Sequence, residues 1–497
     1  MKKKIRKIIL VILFILIAFI IYLIVGGILP FLKHPKVSQD TKNRLIKSKF
    51  YGREIGPDRA TVIEDNEEAL KMRLKLIADA KEKVVLSTFD FRSDNAGKDM
   101  LAALFYAAER GVKVEIFADG FNSVIQMEGN NYFYALSSHP NVKIIIYNQI
   151  NILKPWNGLG RMHDKYVIAD DFAYILGGRN TFGYFLGNYE GHKNYDRDVL
   201  VYNTKITKNI PDENKSEVKD SDLNNETGKT ASSIYQIQEY YKNITSLEYC
   251  RLFHDKESLA EKKGVRSARE ELKKRYESLL DKYKGFLDKP YDYAANTYET
   301  NKINLLSNPI GRYAKEPVVY YGLMQLAQNA NEEVKLHTPY IICDDEMYQG
   351  LERCGDKVTI MTNSAENNGN LFGTIDYLKH KADILDTGVK IKEYEGGISY
   401  HGKSMTVDDD IAVVGSFNLD MRSAYIDTEL MLVINSKDVC SQLKSSMEQY
   451  EQKAATVKSE TEYSYIPEGM TMKPLSKKKK RIKTFLGPVM NWFRFLF

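Results

Sequence analysis

The sequence predicts an α/β protein of two similar α/β/α sandwich halves related by a pseudo-twofold, carried on one N-terminal transmembrane helix. Three observations carry that reading. A short pattern, H-x-K-x4-D followed by G-[GS]-x-N, occurs twice, at His163 to Asn180 and at His401 to Asn418. Apolar runs of strand length alternate with helical periodicities around both copies, which favours a sheet covered on both faces. And Ile8 to Leu32 is a run of 25 uncharged residues close to the N-terminus.

The N-terminus comes first in the chain. At about 1.5 Å rise per residue, Ile8–Leu32 is long enough to span a bilayer with some tilt. It exceeds the ~7–15 apolar residues of a cleavable signal peptide, so an uncleaved single-span anchor is expected. Lys2, Lys3, Lys4, Arg6 and Lys7 precede it, favouring a cytoplasmic N-terminus and an extracytoplasmic body. Lys33, Lys36, Lys42, Arg44, Lys47 and Lys49 oppose that orientation but are more dispersed.

Residues 1–7 are therefore read as a basic N-terminus, 8–32 as the anchor and 33–60 as a polar linker. The first half, 61–203, opens with helical periodicity from Glu64 to Ala80, then a strand at Val84 to Phe89. A helix from Asp99 to Arg110 ends at Gly111, and strands follow at Val112 to Ala118 and Val142 to Tyr147. The first H-x-K falls on a strand running through Tyr166 to Ala169, with Tyr174 to Leu176 as the next and Gly177-Gly178 as the turn after it. Residues 204–300 form a polar insert and charged helical connector. Within it, Thr204–Thr230 reads as a mobile loop and Asp255–Asp288 as a solvated helical strut. The second half, 301–455, repeats the order: strands at Val334–His337 and Val358–Met361 around a helix from Glu346 to Arg353, a strand at Val389–Tyr394, then Tyr400–Val407 and Ile411–Val414. Residues 456–497 form a tail in which Lys477 to Arg481 precede the apolar, aromatic Phe485 to Phe497, a composition suited to a membrane interface.

Composition excludes several classes. The chain is 43% hydrophobic and 11% aromatic with a net charge of +5, so no wide basic stripe speaks for nucleic acid. Cys250, Cys343, Cys354 and Cys440 show no C-x2-C spacing for zinc. No metal and no cofactor is expected.

The paired motif carries the chemistry. Histidine serves as nucleophile and as general acid near neutral pH. With His163 and His401 flanking one phosphorus, one attacks and the other protonates the leaving oxygen. Lys165 and Lys403, two positions on, share a strand face with the histidines and reach the same phosphate. Asn180 and Asn418 donate further hydrogen bonds, and Gly178 and Ser416 support the substrate from the turns. Asp170 and Asp408 complete the candidate catalytic set. They lie on the opposite strand face, where bracing a turn or a salt bridge suits them better than touching substrate. Each nucleophilic imidazole also needs an orienting acid. Asp198 and Glu429, each just before an apolar strand, are the matched candidates. His34, His139, His192, His254, His337 and His380 are read as structural.

These motifs resemble the phospholipase D superfamily, and the similarity runs from about Glu64 to Ile434. Within it the chain is similar to bacterial cardiolipin synthases, particularly their C branch, through His139-Pro140-Asn141-Val142, Arg161-Met162-His163, Pro339-Tyr340-Ile341, Ser416 to Ser423 and Thr428-Glu429-Leu430. Gly402 and Met421 stand where that family usually has alanine and proline. The resemblance implies the phospholipase D fold and a phosphatidyltransferase working through a phosphohistidine on His163, with His401 as acid and base. The substrate implied is phosphatidylglycerol, with phosphatidylethanolamine as a second donor candidate, at a membrane and not on nucleic acid. A hydrolytic phospholipase D would share every catalytic residue. A nuclease of the superfamily is disfavoured by the anchor, the apolar tail and the low charge, and a non-enzymatic scaffold by the two intact motifs.

Overall fold

The computed structural model describes residues 2–205 and 231–497; the insert predicted over 204–230 lies almost wholly outside the described residues. Helix α1 (Lys2–Ile28) is the apolar N-terminal helix, exposed from Lys3 to Tyr22, packed against the body near its end and long enough to cross a membrane. The segment after it follows the surface of the second half. Phe31, Leu45 and Phe50 are buried in that half's core, and around α2 (Gln39–Arg44) Ser38 and Thr41 donate to Glu316.

The first half runs β1 (Asp58–Ile63), α3 (Asn66–Asp79), β2 (Lys83–Thr88), α4 (Asn95–Glu109), β3 (Lys113–Asp119), α5 (Gly120–Gln126), α6 (Asn131–Ser137) and β4 (Val142–Tyr147). It continues through β5 (Tyr166–Ala169), β6 (Ala173–Gly177), β7 (Asn194–Tyr195) and β8 (Asp198–Asn203). Helix α7 (Ser233–Thr245), β9 (Cys250–Leu252), α8 (Lys263–Lys282) and β10 (Tyr298–Glu299) lead to the second half. That half runs β11 (Lys302–Ser307), α9 (Val318–Gln328), β12 (Val334–His337), β13 (Ile341–Ile342), α10 (Asp345–Glu352), β14 (Val358–Asn363), α11 (Leu371–Asp386) and β15 (Lys390–Tyr394). Then come β16 (Ser399–Tyr400), β17 (Ser404–Val407), β18 (Ile411–Gly415), β19 (Leu419–Asp420), α12 (Met421–Tyr425), β20 (Leu430–Asn435), α13 (Lys437–Glu451), β21 (Ala454–Val457), β22 (Tyr463–Tyr465) and α14 (Lys477–Trp492).

The duplication is explicit in the sheets. One is ordered β10-β1-β8-β6-β5-β2-β3-β4-β9, the other β11-β20-β18-β17-β12-β14-β15-β21-β22. In each, three parallel strands (β2-β3-β4 and β12-β14-β15) adjoin an antiparallel block carrying the motif strands. The motif strands β5, β6, β17 and β18 are buried on both faces, which is why they read as unbroken apolar runs. Outer helices cover each sheet, and the inner faces meet with α7 and α13 in a shared core that includes Tyr174, Leu176, Val414 and Leu432. The fold is thus two α/β halves of mixed sheets, as predicted.

One expectation fails here. The charged helix between the halves is not a solvated strut. Val265, Ala268, Leu272, Tyr276 and Leu279 of α8 are buried against the first half's core, and only its other faces are charged. The C-terminal segment is likewise docked: Arg494 pairs with Asp376, and the Phe497 ring stacks on Phe372 at 4.8 Å.

Candidate active site

Both motif histidines sit in extended segments just ahead of β5 and β17, at the ends nearest the C-termini of the parallel strands. Their backbones are pinned to the opposite half. The His163 amide donates to Thr428 Oγ1 at 3.1 Å, and Thr428 N donates to Arg161 O. The His401 amide donates to Tyr195 O at 2.6 Å, where β16 pairs in parallel with β7. Two short inter-half ladders therefore deliver the two imidazoles to one place.

The carboxylates cross over in the same way. His163 Nδ1 lies 2.9 Å from Glu429 Oε1, and His401 Nδ1 lies 2.6 Å from Asp196 Oδ2. Glu429 and Asp196 are fully buried, while the histidine side chains keep 13% and 24% of their surface open. With Nδ1 engaged, Nε2 of His163 is left for chemistry, and Nε2 of His401 faces Lys403 Nζ.

Asp198 is a correction. It holds Arg73 and Arg179 at 2.9 and 3.0 Å, and the acid behind His401 is Asp196. The cause is register. Gly177 pairs with Asp198 across β6 and β8, but Gly415 pairs with Met431 across β18 and β20, so the residue equivalent to Glu429 lies two positions before Asp198. The count from the glycine turns differs between the halves, 14 residues from Gly415 to Glu429 and 19 from Gly177 to Asp196, so only the strand register identifies it.

Gly178 and Ser416 also act on the acids, not on substrate. A Cβ on Gly178 would lie 2.1 Å from Asp196 Oδ1, so only glycine leaves room for that carboxylate. At the matching position Ser416 Oγ donates to Glu429 Oε2 at 2.5 Å, and Ser423 Oγ donates to Oε1.

Asp170 and Asp408 are not in the site, which corrects their place in the catalytic set. They cap the far ends of the motif strands, at φ +46° and +48°. Asp170 accepts from the amides of Lys81, Glu82 and Lys83, and Asp408 from those of Asn331, Glu332 and Glu333. Each four-residue strand, roughly 13 Å at 3.3 Å per residue, separates them from the histidines.

Lys165 and Lys403 do share the site. Lys165 Nζ donates to His163 O, and Lys403 Nζ lies 2.6 Å from Nδ1 and 3.2 Å from Nε2 of His401. Asn180 Oδ1 accepts from Asp90 N, which turns its amide NH2 away from β2; Asn418 Oδ1 is buried with no hydrogen-bond partner among the described residues. Two aromatic rings flank the opening, Phe89 edge-on to His163 at 5.2 Å and Phe185 edge-on to His401 at 5.1 Å.

Burial and the lysines set the proton affinities. His401 is pushed down to about 4, by burial first and Lys403 second, even with Asp196 against it. His163 is held well below the usual histidine range by burial and then Lys165. Burial lowers Lys165 to about 7 and Lys403 to about 8. Asp196 would be raised by burial, but Lys403 and His401 outweigh it and hold it below the usual carboxylate range. At Glu429 burial prevails over Lys165 and the two serines, lifting it to about 8. His163 also feels Lys403, and His401 feels Lys165, so the four groups act as one site. An arriving anion would raise both histidines and both lysines together.

Sequence reasoning also missed Asp164 and Tyr240. Asp164, between the motif histidine and lysine, points into the protein, accepts from Tyr240 Oη of α7 at 2.7 Å and is raised by burial to about 7.

Residues 74–218 and 323–450, each containing one motif copy, match the family described as cardiolipin synthase, PLD-like domain, and the chain belongs to that family. The chain is similar to cardiolipin synthase C of Escherichia coli (strain K12), at 21% identity over 76% of this chain and 81% of that protein. It is similar also to cardiolipin synthase 1 of Staphylococcus aureus (strain MRSA252), at 23% identity over 86% and 72%. Among solved structures, phosphatidylserine synthase of Haemophilus influenzae Rd KW20 shares its fold, with a TM-score of 0.59, 14% identity, and coverage of 92% of this chain and 99% of that one.

Proposed function

We propose that the chain is a membrane-anchored phosphatidyltransferase of cardiolipin synthase type. The observation that carries this reading is the crossed pair of imidazole–carboxylate couples, each with its own lysine and each sensing the other's. Such a pair suits two displacements at one phosphorus. His163 Nε2 attacks the phosphorus of a phospholipid, the bond to the head-group oxygen breaks, and His401 gives its Nε2 proton to the departing alkoxide. His401 then takes a proton from the acceptor hydroxyl of phosphatidylglycerol. That oxygen attacks, the phosphorus–nitrogen bond breaks, and cardiolipin leaves with His163 regenerated. Lys165, Lys403 and the amides of Asn180 and Asn418 hold the phosphoryl oxygens. The first role falls to His163 and the second to His401 by the resemblance, since the geometry is nearly symmetric.

α1 anchors the body in a bacterial membrane, and the five cations before Ile8 argue for a cytoplasmic N-terminus. Protease digestion of the body from outside intact spheroplasts checks that orientation; protection would reverse it.

The reaction is tested by incubating the full chain with isotope-labelled phosphatidylglycerol, alone and with phosphatidylethanolamine, and resolving the lipids by mass spectrometry beside a His163→Ala control. Labelled cardiolipin absent from the control is the expected result. Phosphatidic acid without cardiolipin would make water the acceptor and the enzyme a hydrolytic phospholipase D. Neither product would overturn the lipid reading and direct the search to nucleic-acid substrates.

A further inference from the structure

One edge of the first half displays apolar side chains where a soluble surface would not. Helix α5 is inside out: Gly120 and Ser123 are buried, while Phe121, Val124 and Ile125, spaced i, i+3, i+4, face outward. The loop after β4 exposes Ile152 by 61% and Leu153 by 68%, with Trp156 beside them. The two segments are one surface, because Gly120 packs so closely on the carbonyls of Tyr147 and Asn148 that a Cβ would come within 2.5 Å of both. They are also fastened to the site. Asp119 accepts from Phe121 N through Oδ1 and, through Oδ2, from the amide of Met162, the residue before His163.

α1 fixes the depth of this edge. Tyr22 Oη donates to Leu153 O at 2.8 Å, the Tyr22 ring meets Trp156 edge-on, and a Cβ on Gly26 would lie 2.7 Å from Pro155 Cγ. A hydrocarbon core of ~30 Å takes about 20 helical residues. Slid anywhere within Ile8–Leu32, such a stretch always includes Tyr22 and Gly26. Tyr22 then lies five to ten residues inside the exit, roughly 7–15 Å below the hydrocarbon boundary. What touches Tyr22 side-on cannot be in bulk water. The exit of α1 meets the C-terminus as well: a His34 ring nitrogen lies 3.3 Å from Phe495 O, next to the helix that carries Lys477–Arg481 and the exposed Phe485.

We propose that Phe121, Val124, Ile125, Ile152, Leu153 and Trp156 are embedded in the leaflet from which α1 emerges, so that the two histidines open onto the head-group layer and receive lipid laterally. This deepens the proposed function and rests on α1 being a membrane span. Lys154, within the loop, reaches back to the phosphates by its long stem.

The chain has two tryptophans, Trp156 and Trp492, so Trp492→Phe leaves Trp156 as a single reporter. The full chain with that substitution is reconstituted in vesicles of phosphatidylglycerol and phosphatidylethanolamine brominated along the acyl chain. Bromines near the head-group end are expected to quench roughly half or more of Trp156 emission, fitting an apolar face sunk about 5–10 Å. Ile152→Glu with Leu153→Glu should shift the emission to the red and relieve the quenching. Unquenched, water-like emission while α1 resists alkaline extraction would overturn the embedded edge and leave the anchor standing. Extraction of the chain from the vesicles would overturn both. The readout is independent of turnover, so an inactive chain would count against the proposed reaction alone.

Discussion

Exchanging Asp196 for asparagine separates the orienting acid from its sequence neighbour. The carboxylate is fully buried and lies 2.6 Å from His401 Nδ1. Asparagine keeps the volume but removes the charge, and its amide N–H can donate to Nδ1, holding the ring in the tautomer whose Nε2 already carries a proton. The same exchange behind the imidazole of a catalytic triad costs about 10⁴-fold in kcat, or about 5 kcal/mol at 1.36 kcal/mol per decade. Because Asp196 does not face substrate, KM should hold within about threefold, the split expected of an interaction made in the transition state. Asp198→Asn is the contrast. Asp198 neutralises two buried guanidiniums, Arg73 and Arg179, and stripping a buried ion pair of one partner costs about 3–5 kcal/mol of stability. It should lower the melting temperature and spare the kcat of molecules that remain folded. Cardiolipin formation by mass spectrometry, with thermal melts of both variants, reads the two effects. Retention of more than about a tenth of kcat by Asp196→Asn, or an equal kcat loss in Asp198→Asn without a change in melting, would refute the crossed assignment.

Gly178→Ala should push Asp196 off its imidazole, since the added Cβ would lie 2.1 Å from Oδ1; a displacement of ~1 Å predicts about 10²-fold lower kcat with the fold retained, and near-normal turnover would count against it. Asp170→Ala removes the acceptor for three amides at a φ of +46°, so chemical denaturation should show a loss of about 2–4 kcal/mol with kcat per folded molecule little changed, whereas a catalytic role would show the reverse. Asp420 caps α12 through Ser423 N and is raised to about 7, chiefly by burial, with Glu429 and Asp427 adding to it. A carboxyl raised in the folded state contributes stability that is full below its unfolded value of 3.8 and is lost as pH climbs through about 7. Asp420→Asn keeps a cap acceptor and should therefore gain on the wild type between pH 4 and 7, by on the order of 2–4 kcal/mol; parallel stability–pH curves would show the shift to be absent. Inorganic phosphate should raise the NMR titration midpoint of His401 from its depressed value by about a unit or more, and an unmoved midpoint at saturating phosphate would place the anion elsewhere.

Much of the fold was legible because both halves repeat the same order of periodicities: Val142–Tyr147 and Val334–His337 are strands with the bounds read from sequence. The site was legible at His163, His401 and their lysines, since chance does not duplicate such spacing. Asp196 was hidden by its neighbourhood. Asp196-Arg197-Asp198 offers two carboxylates one strand pleat apart, and choosing between them takes the β6–β8 register, which is a tertiary fact. The packing stripe of α8, Val265, Ala268, Leu272, Tyr276 and Leu279, was readable at 3–4 spacing but was masked by the charge around it. The ladders between β7 and β16 are two residues long, too short for any periodicity. Phe121, Val124 and Ile125 of α5 have the spacing of a core-facing helix stripe, and their outward position follows from the tertiary structure alone.

The crossing of the acids explains why a duplicated half would be kept as a pair. Each half owns an imidazole and a lysine, but the carboxylate that orients its imidazole belongs to the other half, as does the oxygen that accepts its backbone amide, Thr428 Oγ1 for His163 and Tyr195 O for His401. Half a site would have an unoriented ring beside a buried cation. Joined, the site sets its charged groups against one another: two lysines are depressed, two imidazoles are held below their usual range, and Glu429 is raised toward its protonated form. A phosphodiester relieves the depressed lysines and imidazoles at once, because its negative charge sits where the positive groups repel one another. Binding and activation are then the same event. In the proposed reaction, the anion to be attacked would also charge the lysines that hold it and restore the proton affinity of the ring that protonates its leaving group.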